Sequence, residues 1–386
     1  MDTQRLSAVI DLDAIEFNAD AAINKIPPGT KFLAVIKADG YGHGAVPIAR
    51  LLKDKADYFA VATIDEAVEL RQSGIKNPIL ILGYFSPDYY ETAITYKIMP
   101  VIFTMDCAKR LSETAQRLGM TADFHLAVDT GMSRIGFAPT AASADTIREI
   151  TRLPAIQAVG LFSHFATADA ADKTEALKQR DTFDAFIALL EARGVRIPVK
   201  HINNSAGIME FDKHYDMVRE GITLYGFYPS HEIENPNFPL KPAMSLISHV
   251  SYVKTLPAGR GVSYGRTYIT DRETKVATVP VGYADGYPRC LSNKGKVLIH
   301  GEYCPILGRV CRDQFMVDVS ALDDVRTGDK VTLVGVDGGN RISVEDVADN
   351  AYSFNYEFVC GVSRRVPRVY LRHGEIISEV TYLNIK

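Results

Sequence analysis

KFLAVIKADGYGHG, residues 31–44, runs through five apolar residues from Phe32 to Ile36 and then at once through Gly40, Gly42 and Gly44. Five residues are too few for a buried helix, and the glycines punctuate, so the run predicts a buried strand opening into a tight loop. Lys37 falls where that strand ends. An ammonium held against apolar walls loses solvation, which lowers its pKa and makes the amine a usable nucleophile. A lysine that extends along the wall to reach water is the alternative. Glycines that let backbone approach a ligand, together with Tyr41 and His43, favour a site.

Working outward, further short apolar runs lie at 58–62, 79–82, 100–103, 124–128, 159–162, 199–202 and 217–218, making eight with 32–36. Between them come segments of helical spacing with charged outer faces at 65–73, 106–118 and 175–193. Eight strand–helix repeats in this length predict a (β/α)8 TIM barrel over residues 1–240. Lys37, Asp129, Arg134, His164, Asn204, Ser205 and Arg219 all fall at or just after the C-terminal end of a predicted strand, where such barrels carry their active sites. Past Lys241 the pattern changes. Runs at 244–253, 275–281, 296–299, 315–319 and 330–334 alternate with turns such as 293–295 and 337–339, which predicts a second, mostly β-strand domain over 241–386. The Pro-containing segment 235–242 is the expected linker, and residues 1–12 are a candidate to pair with the second domain.

Composition narrows the function classes. The 386 residues are 47% hydrophobic and carry a net charge of -4 with both signs dispersed, so no basic stripe points to nucleic acid. Cys107, Cys290, Cys304, Cys311 and Cys360 are odd in number and widely spaced, against a disulfide framework or a structural metal site. The charged N-terminus MDTQRLSAVIDLD lacks a signal-peptide core, and no stretch approaches the ~18 apolar residues of a membrane span. The expectation is a cytoplasmic protein with no metal and no membrane partner.

The string AVIKADGYGHG, residues 34–44, resembles the cofactor-lysine signature of the alanine racemases, fold-type III pyridoxal-phosphate enzymes. The resemblance implies pyridoxal 5'-phosphate as a Schiff base on Lys37, with Tyr41 on its phosphate. NNSAG (203–207) and REGITLYG (219–226) are similar to the family's phosphate-binding stretches, which implies contacts from Asn204, Ser205, Gly221 and Ile222. Arg219 matches the arginine facing the pyridine nitrogen, and His164, in GLFSHFATAD, the histidine that supports it. A guanidinium stays protonated, so it cannot hand the ring a proton, and transamination is disfavoured. VSYGRTY (262–268) resembles the stretch carrying the second base, which names Tyr264. In the family's homodimers this tyrosine serves the partner subunit. Arg134, in DTGMSRIGF, and the main-chain N–H of Arg312, in GRVCRDQFMVD, are implied to hold the substrate carboxylate, with Tyr283 and Asp313 at the entrance. The implied activity is interconversion of L- and D-alanine for peptidoglycan.

Three positions depart from the family pattern. Arg312 stands where methionine is common, and Arg364 replaces a phosphate-side tyrosine. Ala127 occupies the place of a lysine that many members carbamylate to hold the substrate-binding arginine. An arginine at 364 suits a phosphate better than a phenol does, whereas one at 312 could favour a polar substrate. The alternatives are therefore a serine or broad-specificity racemase, a decarboxylase on the same fold, and a non-enzymatic pyridoxal-phosphate-binding protein.

Overall fold

The computed structural model describes residues 5–233 and 235–381; residues 1–4 and 382–386, which the two domain expectations include, lie outside the described residues. The chain divides into two compact units, one of residues 14–40 and 45–241, the other of 1–13, 41–44 and 242–386.

Among the described residues the first unit is the expected barrel. Its eight parallel strands are Lys31–Val35, Tyr58–Val61, Ile79–Ile81, Ile98–Met99 continued by Val101–Ile102, Ala122–Ala127, Ile156–Phe162, Val199–His201 and Met217–Glu220. Pro100, which has no N–H to give the ladder, interrupts the fourth. The last strand pairs with the first, Arg219 opposite Leu33, and closes the ring. The Tyr225 hydroxyl donates to the Val35 carbonyl at 2.9 Å across that closure.

Local signals set the helices. Thr63 and Glu66 form a capping box before Ile64–Gln72. Thr104 caps Met105–Leu118, which stops at Gly119 with φ 65°. Helix Thr174–Glu191 buries Phe183, Phe186 and Leu190 at helical spacing, joining Phe124, Leu126 and Ile147 in one core cluster.

In the second unit an eleven-stranded sheet runs in the spatial order Tyr252–Leu256, Thr274–Val279, Phe315–Asp318, Glu302–Leu307, Lys296–Ile299, Lys330–Asp337, Met244–His249, Leu6–Asp11, Arg368–Arg372, Glu375–Val380, with Asn340–Ile342 on the sixth. The run predicted as a single strand over 244–253 breaks at Val250 and Ser251 into two strands placed far apart in that order. The Val250 and Ser251 N–H groups donate to the Asp329 and Thr278 carbonyls, each at 2.8 Å. Leu6–Asp11 sits between two C-terminal strands, antiparallel to Met244–His249 and parallel to Arg368–Arg372.

Among the described residues no helix is long and apolar enough to cross a membrane, and no cluster of His, Cys, Asp or Glu could hold a metal ion.

Candidate active site

The first strand does not relax into an ordinary loop. Ala38, Asp39 and Gly40 take φ values of 52°, 52° and 60°, a turn of left-handed helix in which the Gly40 N–H donates to the Ile36 carbonyl at 2.8 Å. Tyr41 continues it at φ 50°. Such a turn costs roughly 1–2 kcal/mol for each residue bearing a Cβ, so something must hold it. Glu66 Oε1 accepts the Ala38 N–H at 2.7 Å while its Oε2 takes the Ala62 N–H at 2.7 Å. Asp39 Oδ1 accepts the Ala45 N–H at 2.9 Å. Strain of this kind concentrates where a side chain must be aimed, and here the side chain is that of Lys37.

Lys37 lines a cavity of about 290 Å³ at the C-terminal end of the barrel strands, with Arg134, His164 and Arg219 as its other basic residues and Tyr84 also on its wall. Leu82, Val128, Phe162 and Ala127 supply apolar wall. Among the described residues that line it there are four basic side chains and no carboxylate, a field suited to anionic ligands.

Arg219 is 2% exposed. It donates to Ser163 O at 2.8 Å, Ile202 O at 2.9 Å, His164 Nδ1 at 3.2 Å and His201 Nδ1 at 2.7 Å, and its guanidinium lies 5.4 Å from the Phe162 ring centre. Burial, and then the Arg134 charge, bring it down to about 9. It stays protonated near neutrality.

These bonds fix the histidine tautomers, because an arginine can only donate. His201 accepts at Nδ1, so its proton sits on Nε2, which donates to His125 Nδ1 at 2.9 Å. His125 then carries its own proton on Nε2. His125 stands on the fifth barrel strand and His201 on the seventh; the sixth-strand residue paired with His125 is Gly160, which leaves room for the ring. Burial, and then the Arg219 charge, hold His125 down to about 3, and the same causes in the same order keep His164 and His201 well below the ordinary histidine range. All three are neutral acceptors or relays.

Beside the eighth strand, Ser205 Oγ accepts the Gly221 N–H at 2.9 Å and stands 3.0 Å from the Thr223 hydroxyl. The Gly221 N–H is thus already engaged. Asn204, expected near the cofactor, spends its side chain capping Ser205–Glu210 by accepting from the Gly207 N–H at 3.0 Å. Ile222 opens the single turn Ile222–Tyr225.

The remaining expected residues lie in the second unit. Tyr264, 71% exposed, is carried on a tight turn in which Ser263 and Arg266 take φ 62° and 48°. The Ser263 hydroxyl donates to Arg309 O at 2.6 Å. Tyr283 and Arg312 are held side by side, since the Tyr283 and Ala284 N–H groups donate to the Cys311 and Arg312 carbonyls at 3.1 and 3.0 Å. The Tyr283 hydroxyl bonds the Arg312 side chain, and this bond leads the causes that raise the guanidinium's pKa. Asp313 is paired with Arg365 at 2.5 Å, and Arg365 also bridges to Asp285 at 2.7 Å. Arg364 is exposed next to that pair. Tyr41 is 8% exposed with its ring 6.3 Å from Tyr356; burial, then Cys360, push its phenol up. Sequence reasoning passed over His125, His201, Glu66 and Arg365. Only His201 carried a signal, since it lies in the apolar run 199–202 just before Asn203.

Comparison with known proteins places the fold in a family. The alanine racemase N-terminal domain matches residues 10–229, and the alanine racemase C-terminal domain matches 243–370. The chain belongs to the alanine racemase family. A racemase of this family from Clostridium perfringens is 45% identical over 97% of this chain and 98% of its own. The solved alanine racemase of Clostridium difficile 630 superposes with a TM-score of 0.95 at 42% identity, covering 99% of both chains. That of Bacillus anthracis with bound L-Ala-P gives 0.94 at 36% identity, covering 99% of this chain and 98% of that one. The alanine racemase family consists of pyridoxal-phosphate-dependent isomerases.

Proposed function

We propose that this chain interconverts L- and D-alanine, with pyridoxal 5'-phosphate held through the Lys37 amine and two bases working on opposite faces of the substrate α-carbon. The observation that carries this is the barrel cavity in which Lys37, Arg134, His164 and Arg219 converge with no carboxylate among its described lining. That donor set fits the group: an amine for its aldehyde, a fixed cation for its ring nitrogen, and the hydroxyl of Ser205 with the Ile222 N–H for its phosphate. When bound, the cofactor supplies delocalisation of the negative charge left at the α-carbon.

The protein's residues do the rest. Arg219, protonated and anchored by four acceptors, gives the ring nitrogen a hydrogen bond without surrendering a proton, which limits charge withdrawal and side reactions. His164 accepts from Arg219 and keeps its plane fixed. Arg134 takes the substrate carboxylate, a geometry guanidinium matches in two parallel bonds. Lys37 Nζ moves the proton on one face and the Tyr264 hydroxyl on the other. We assign the active species as a homodimer in the cytoplasm, Tyr264 serving the barrel of the partner subunit, with Tyr41 and Arg364 completing the phosphate contacts and Tyr283, Arg312 and Asp313 at the entrance. The barrel and β-strand segments fall, in this reading, at residues 1–240 and 241–386. Arg312, bonded to Tyr283, favours as a second reading a racemase that also accepts serine.

The test is chiral chromatography after the cofactor-saturated protein meets L-alanine, L-serine, L-glutamate and L-lysine. Rapid D-alanine formation, lost in Lys37→Ala, is expected. No D-product from any of the four would overturn the assignment. In Tyr264→Phe, α-deuterium exchange should be lost far more from one alanine enantiomer than from the other; equal losses would refute two bases.

A further inference from the structure

Glu220 follows Arg219 on the eighth strand and is wholly buried. Its Oε1 is 3.0 Å from the Thr223 hydroxyl, and its Oε2 has no partner among the described residues. Among the described residues no lysine or arginine forms an ion pair with it. An ionised carboxylate so placed would be desolvated without a counter-charge, at a cost of several kcal/mol, so the neutral acid is favoured; burial accordingly drives its pKa well above the ordinary carboxylate range, against the opposing bond from Thr223.

The protonation state sets the direction of a hydrogen-bond chain. Thr223 has one hydroxyl proton but lies 3.0 Å from both Glu220 Oε1 and Ser205 Oγ. Were Glu220 ionised, it would draw the Thr223 proton and Thr223 would draw that of Ser205, whose oxygen, accepting from the Gly221 and Thr223 N–H groups at 2.9 and 3.4 Å, would have no proton left to offer outward. With Glu220 neutral the order reverses. The carboxyl O–H donates to Thr223, and Thr223 donates to Ser205. Ser205 Oγ, which also accepts from the Gly221 N–H at 2.9 Å, is then filled as an acceptor and must donate its own proton elsewhere.

We propose that Glu220 is a positioning residue: a permanently neutral acid that acts through Thr223 to make the Ser205 hydroxyl a donor toward the cofactor phosphate. This rests on the reading of Ser205 as part of the phosphate cradle. Near a dianion the opposite polarity would leave the Ser205 oxygen without a proton for a phosphate oxygen, and an ionised Glu220 would add like charge.

The experiment compares the full-length protein with Glu220→Gln, Thr223→Val and Ser205→Ala. Dissociation constants are measured for pyridoxal 5'-phosphate and for pyridoxal, which lacks the phosphate, alongside difference infrared spectra. The wild type should show the carbonyl stretch of a neutral carboxyl that Glu220→Gln lacks. Glu220→Gln, whose amide N–H replaces the carboxyl O–H, should keep the phosphate form's affinity within about twofold, while Thr223→Val should weaken it about 5–10-fold. Pyridoxal affinity should not move in either, which a merely structural effect would not achieve. Tighter binding by Glu220→Gln, a loss in it equal to that of Thr223→Val, or absence of the carboxyl band would overturn the relay. Unchanged binding by Ser205→Ala would overturn the cradle as well, whereas a weakened Ser205→Ala beside an unaffected Thr223→Val would overturn the relay alone.

Discussion

Gly160→Ala tests whether the buried histidine chain behind Arg219 is packed without slack. A Cβ built on Gly160 would stand 2.1 Å from His125 Nδ1, 2.3 Å from Cε1 and 2.5 Å from Cγ. Ordinary contact lies near ~3.5–4.0 Å, so the ring must recede by more than an ångström. It has little room to do so. Its Nδ1 accepts from His201 at 2.9 Å, its edge meets Tyr58 with ring centres 6.1 Å apart, and it is fully buried. Overpacking of a filled core costs about 1–3 kcal/mol, and breaking the His201–His125 bond while leaving a buried N–H orphaned costs about 1–3 more. The resulting loss of about 2–6 kcal/mol corresponds to a melting shift of roughly 4–24 °C for a unit of this size. The assay is thermal and urea unfolding, read beside ¹⁵N spectra of the histidine rings, where the His201 tautomer should lose its definition. The double variant with His125→Ala should be less destabilised than the two single losses predict, because the two changes share one contact. A Gly160→Ala protein melting within about 1 °C of the parent would refute the reasoning.

The pH dependence of stability follows from the same histidines. His125, His164 and His201 are neutral when folded, depressed first by burial and then by the Arg219 charge, while unfolded histidine titrates near ~6.5. The unfolded chain therefore binds more protons below that value; stability is full above ~6.5 and falls as pH drops toward the folded values, by up to about 1.4 kcal/mol per histidine per pH unit. Urea midpoints between pH 8 and 5 should trace this decline, His201→Gln should flatten it by one histidine's share, and a level profile would contradict it. Arg312→Met, which removes the partner of the Tyr283 hydroxyl, should lower the serine-to-alanine ratio of kcat/KM about tenfold; an unchanged ratio would mean that Arg312 faces away from substrate. In the second unit, Gly44 has φ 97° and a Cβ there would stand 1.8 Å from the Tyr370 hydroxyl oxygen, which donates to His43 O. Gly44→Ala should cost about 2–4 kcal/mol by urea unfolding, and Tyr370→Phe should rescue only part of it because the backbone strain remains.

The sequence by itself determined most of the elements and the place of Lys37 at the end of the first barrel strand. Apolar runs of strand length alternating with amphipathic helices encode the eight-stranded barrel, because burial on both faces of a parallel strand demands a continuous apolar run. Lys37 was legible because glycines follow a buried strand, a local pattern that needs no partner to be read. What only the tertiary structure decided are relations between residues far apart in the chain. Leu6–Asp11 reads as a strand, but its place between Met244–His249 and Arg368–Arg372 is a long-range pairing with no local signature. His125, Gly160 and His201 are unremarkable one by one, and they form a relay behind Arg219 only because the barrel strands bring them into register. The left-handed turn after Lys37 likewise depends on Glu66, a residue whose capping role was all its own helix required of it. Periodicity reports which face of an element is buried; which donor meets which acceptor is fixed only when the barrel closes.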